Sequence, residues 1–166
     1  MRALTILAPA LLLAACGSND AATDDGTQIS INGGANGNGF SAGIGKDGRV
    51  AIDVPGFKAN IDLPKVQLDA GDFDINGVSL PAGSKITNMN IAGNGDRDAG
   101  VRVSFASPIG TAAVREWFQG KLAAKGFTLS AQGDNLKGTI DEGKAFSLTT
   151  KANGTGASES ELIVGS

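Results

Sequence analysis

The chain has 166 residues, with 14 basic against 17 acidic side chains and a formal charge of −3. It contains no His, no Tyr and one Cys, which excludes Ser-His-Asp and Cys-His catalysis, His-ligated zinc and haem, and intrachain disulfides. No Lys/Arg cluster occurs, so the electrostatic footprint of nucleic-acid binding is missing.

The N-terminal stretch divides into three pieces. Met1-Arg2 supplies one basic side chain, Ala3 to Ala14 are apolar apart from Thr5 and Pro9, and Leu13-Ala14-Ala15 leads into Cys16. Such a run is too short to cross a hydrocarbon core ~30 Å thick, which takes about 20 residues. It does fit the apolar region of a secretion signal. Pro9 and the change to polar sequence after Cys16 argue against a helix that continues.

The box Leu13-Ala14-Ala15-Cys16 resembles the lipobox of bacterial lipoproteins, a resemblance confined to residues 1–16. It implies that residues 1–15 are a signal peptide that is removed. It also implies that the Cys16 sulfur carries a diacylglyceryl thioether, with a further acyl chain such as palmitate on the amine. Several chains make a stable anchor where one is marginal, so the protein would hang from a membrane without spanning it. Gly17 follows the cysteine where Asp would retain a lipoprotein at the inner membrane. The implied address is the outer membrane, facing the periplasm, in a host with two membranes. Losing Arg2 would leave 13 basic against 17 acidic residues, a formal charge of −4.

Residues 16–26 read as the lipidated cysteine and a flexible tether of small and polar residues. From Thr27 the apolar period becomes two. Ile29 and Ile31 alternate with polar residues, and "GKDG" sits between Phe40–Ile44 and Arg49–Val54 as a hairpin turn. "FKANIDL" places Phe57, Ala59, Ile61 and Leu63 on one face and Lys58, Asn60 and Asp62 on the other. Shorter alternating pieces follow to residue 92. The expectation for 27–92 is a β-rich region, as an antiparallel meander or a short solenoid.

"GNGDRDAG", residues 93–100, reads as a boundary loop. Val101, Val103 and Phe105 then alternate inward. Ser107-Pro108 marks a helix start, with Thr111 a further cap candidate. Val114, Trp117, Phe118 and Leu122 carry helical spacing over Thr111–Lys125, and Gly126 is placed as a left-handed stop. Three or four strands follow. The expectation for 100–166 is β-α-β-β-β(β), one amphipathic helix across an antiparallel sheet, and the fold class expected for the whole is α+β. The seven Phe are spread over nearly every element, which reads as core-building.

The candidate sites are few. Gly43, Gly45 and Gly48 spell G-x-G-x-x-G, but a strand rather than a helix follows, so hairpin geometry is expected there. Asn94, Asp96 and Asp98 have the 1, 3, 5 spacing of a calcium loop, yet Ala99 and Phe105 stand where Gly and the bidentate Glu belong. They are a weak loop candidate only, and no metal or other cofactor is expected. Asp72/Asp74, Asp141/Glu142 and Glu159/Glu161 are the carboxylate pairs available for acid/base hydrolysis. Trp117 and Phe118 are adjacent on the helix and about 100° apart around its axis. Both cannot centre one core stripe, and together they are the candidate partner surface. These features add up to a lipid-anchored cell-envelope protein, a non-enzymatic protein-binding or assembly module with the membrane and an envelope protein as partners. A small-molecule or glycan binder is the alternative, and a carboxylate hydrolase the weakest reading.

Overall fold

The computed structural model describes residues 26–34, 39–93 and 100–165. Strands β1 (Gln28–Gly33), β2 (Phe40–Ile44), β3 (Arg49–Val54) and β4 (Phe57–Asp62) come first. Short β5 (Leu68–Asp69), β6 (Asp74–Ile75) and β7 (Val78–Ser79) follow, then β8 (Lys85–Gly93) and β9 (Gly100–Ser107). Helix α1 (Thr111–Ala123) leads into β10 (Leu129–Gln132), β11 (Asn135–Ile140), β12 (Lys144–Ala152) and β13 (Ser158–Val164).

One 11-stranded sheet takes the order β10-β11-β12-β13-β9-β8-β1-β2-β3-β4, with β5 beside β8, and β6 pairs β7 in a separate hairpin. Every ladder is antiparallel except β1 with β8, which run parallel with Ile29 opposite Met89 and Ile31 opposite Ile91.

These findings correct the expected α+β class. Of the described residues 56% lie in strands and 12% are helical, a sandwich-like architecture built on one large mixed sheet. The physical reason lies in the pairing of β8. It bonds β9 on one side and β1 on the other, so strands from both expected regions share a single sheet, and the one helix has only a small part of it to cover. The parallel β1/β8 pair also makes the sheet mixed where an antiparallel one was expected. Consecutive strands β1 to β4 join as antiparallel hairpins, which leaves no place for a solenoid.

Helix α1 ends two residues before the expected boundary. Gly110, in extended backbone, caps its start without a side-chain bond. Gly126 has φ +90°, and the Phe127 amide turns back to the Leu122 carbonyl at 3.1 Å, the left-handed termination that glycine permits. Val114, Phe118 and Leu122 are its buried stripe. At about 1.5–3 kcal/mol each, their burial contributes on the order of 5–9 kcal/mol, an upper figure for area removed from water. They meet Val103, Phe105, Leu136, Phe146, Leu148 and Leu162 on the sheet. Phe118 lies 6.2 Å from Phe105 and 6.3 Å from Phe146, ring centre to ring centre and tilted, within the favoured range for aromatic pairs.

Candidate functional site

Strand register assigns every side chain to one of two sheet faces, because partners across a ladder point the same way. Val103, Leu162, Leu148 and Leu136 share a face. Through Met89 opposite Val103 and Ile29 opposite Met89 the same face continues into β1. It then runs through Ile44, Val50 and Ile61, and through Ile31, Ala42, Ile52 and Ala59. One apolar face therefore extends across the whole sheet.

Its cover does not. Helix α1 contacts β10, β11, β12, β13 and β7. No described element lies over the same face of β1–β4. As a result Ile31, Phe40, Phe57, Ile61 and Leu63 are 38, 43, 57, 48 and 45% exposed. Phe40 and Phe57 are therefore surface residues, against the expectation that all seven Phe build the core. The period-two spacing of Phe57, Ala59, Ile61 and Leu63 identified a shared face but held no information on what packs over it. The Phe40 ring occupies the space a side chain at Gly33 would take, which fixes it on this face.

The opposite face is polar and open along its full width. Ser104, Arg102, Glu161, Thr149, Lys151 and Lys137 stand on it, and none is buried. Arg102 reaches Glu161 across the β9/β13 ladder at 2.7 Å. A groove of about 480 Å³ runs between Arg102, Lys137, Ala145, Ser147 and Ile163. A smaller cleft of about 200 Å³ lies at the edge of the apolar face, lined by Phe73, Ile75, Val101, Asp141, Lys144 and Val164. Ligand pockets for drug-sized molecules usually hold about 300–1,000 Å³.

Among the residues singled out from sequence, Phe118 is fully buried. Trp117 is half-buried, donating Nε1–H to the Ser79 carbonyl at 3.0 Å, with the Lys121 ammonium 5.1 Å from its ring centre. Only Trp117 of the two therefore reaches the surface. The "GKDG" loop is a hairpin connection, with Gly48 N–H donating to Gly45 O at 2.9 Å and Gly45 N–H to Arg49 O at 2.7 Å. Asp72 accepts the Asp69 amide at 2.7 Å and Asp74 the Gly77 amide at 2.8 Å, both closing local turns. Glu159 accepts from Asn153 at 2.9 Å and Glu161 pairs with Arg102, so these carboxylates serve local structure. Among the described residues no group of three His, Cys, Asp or Glu is placed to hold a metal ion. Cys16 and the Asn94, Asp96, Asp98 loop lie outside the described residues.

The Asp53 carboxylate, 2.9 Å from the Lys58 ammonium, holds the Lys58 pKa above its ordinary 10.5, first by hydrogen bonding and then by charge. Compared with family models, curated proteins and solved structures, the chain matches none.

Proposed function

We propose that the chain is a lipid-anchored cell-envelope protein, attached through Cys16, that acts as a non-enzymatic protein-binding or assembly module. In a two-membrane host its place is the outer membrane, facing the periplasm. The observation that carries the binding half of this reading is the polar sheet face. It stays uncovered from β10 to β4, about 43 Å at the usual strand spacing, and over β9, β11, β12 and β13 it presents side chains from strands backed by a packed core. Sites on rigid elements hold their geometry better than sites on loops. The lipobox-like sequence at residues 13–16 supports the anchoring half.

The test is site-specific photo-crosslinking in intact cells from Thr149 and Lys151, followed by identification of the adduct. One abundant envelope protein captured from both positions supports the module. No protein adduct from either position overturns it. Mass spectrometry of Cys16 in the same material tests the anchor separately.

A further inference from the structure

We infer that the uncovered apolar face of β1–β4 rests on the lipid bilayer that anchors the chain. The inference builds on the anchoring reading and names what occupies the face.

Charge placement supports a lipid occupant. Residues 26–64 carry Lys46, Arg49 and Lys58 against Asp47, Asp53 and Asp62, three of each sign. Register puts Arg49, Asp53, Lys58 and Asp62 on the polar face, and Lys46 and Asp47 sit in the β2/β3 turn. The apolar face of these four strands bears no charged residue, and the segment as a whole is neutral. Nothing there repels a headgroup layer or requires desolvation of an ion.

Chain connectivity places the face beside the bilayer. Cys16 precedes Gln28, the first residue of β1, by 12 positions. Even fully extended, such a segment spans no more than about 40 Å. A residue lipidated at 16 thus keeps β1–β4, the strands that follow it directly in the chain, within reach of the membrane surface.

Area argues against a second copy as occupant. Four strands spaced ~4.8 Å apart and six residues long at ~3.3 Å give a footprint of roughly 380 Å². Stable protein interfaces bury about 800 Å² per partner. A tethered bilayer sets no such minimum, because the anchor supplies the effective concentration that a free partner must obtain from contact area. Amphipathic surfaces that lie in the interface bury their apolar side about 5–10 Å below the headgroups.

The experiment uses the full chain, purified in lipidated form and reconstituted into phosphatidylcholine vesicles containing a brominated phosphatidylcholine. Phe57→Trp and Ile61→Trp put a fluorophore on the apolar face, and Lys58→Trp puts one between them on the polar face. All three positions are exposed, and Trp117, present in each variant, supplies a common background. The expected result is bromolipid quenching of the added emission about twofold stronger at 57 and 61 than at 58, as shallow burial of one face requires. Equal quenching at the three positions, or none, overturns the inference. So does a dimer by sedimentation in which position 57 is shielded from bromolipid. Intact mass of the same preparation reports on Cys16. If that residue carries no lipid the anchoring reading fails. Its thiol, the only one in the chain, is then coupled to a maleimide headgroup lipid, and the same contrast among positions 57, 58 and 61 decides where the face goes.

Discussion

Thr27 Oγ1 donates a hydrogen bond to the Ile86 carbonyl oxygen at 2.6 Å, joining the residue before β1 to strand β8 across a separation of 59 positions. The same oxygen accepts the Leu68 amide at 2.9 Å, so one fully buried hydroxyl links three segments. Thr27→Val keeps the shape and removes both bonds, leaving a donor and an acceptor unpaired. The expected loss is about 2 kcal/mol, read as a lower urea midpoint at constant slope. Thr27→Ser retains the hydroxyl and should recover most of the difference.

The neighbours Trp117 and Phe118 should separate by mechanism. Phe118→Ala empties the space between Phe105 and Phe146 and should cost about 3–5 kcal/mol. Trp117→Phe keeps most of the ring contact and loses the bond to Ser79, so about 1 kcal/mol is expected. Equilibrium denaturation of both variants checks the contrast. Comparable losses would mean that Trp117 is packed as deeply as Phe118.

Gly48 tests the reading of the glycine loop as a hairpin. Its φ is +85°, and an added Cβ would overlap the carbonyl oxygen of Leu63. The backbone there cannot yield freely, because the Leu63 amide also donates to Gly48 O at 2.9 Å. Gly48→Ala should destabilise by about 1–3 kcal/mol, with amide exchange accelerating first in β2, β3 and β4. Gly56, with φ +84° and open space around its Cβ position, serves as the comparison for strain without overlap.

Lys58 has a raised pKa, and the sign of its effect can be worked out. A pKa raised above 10.5 means the folded chain holds that proton more tightly than the unfolded one. The contribution is complete below 10.5 and disappears as pH rises through the folded value. Asp53→Asn should return the Lys58 titration toward its ordinary position, as followed by NMR of the side-chain ammonium. Since the pair is exposed to solvent, added salt should shrink the displacement in the parent chain.

Sequence periodicity located the local features and missed the long-range ones. The alternation of Phe57, Ala59, Ile61 and Leu63 against Lys58, Asn60 and Asp62 is a direct consequence of strand pleating, so it could be read without a structure. The spacing of Val114, Trp117, Phe118 and Leu122 marked the helix through its 3.6-residue period, and Gly126 marked its end. The β1/β8 pairing left no such trace. It joins Ile31 to Ile91, and no local pattern distinguishes that partner from several other apolar strands. The choice of pairing decided the fold class, which is why α+β was expected where one mixed sheet exists. The exposed Phe40 and Phe57 were misjudged on similar grounds, since an apolar side chain in a strand specifies a face and not its cover. That Trp117 and Phe118 could not both centre the stripe was legible, because adjacent helical positions diverge, but which of the two leaves the core was not. Nor was the bond from Trp117 to Ser79, because that carbonyl belongs to a strand 38 positions earlier.

The place of β1 in the sheet also has a mechanical consequence. It is flanked by β8 on one side and β2 on the other, and among the described residues it is the first strand from the N-terminal end. A pull transmitted from that end acts along β1, so the ladder bonds on both its edges are loaded together in shear rather than peeled one by one. A strand at the sheet margin would unzip under the same tug, whereas this one resists until two rows of bonds yield at once.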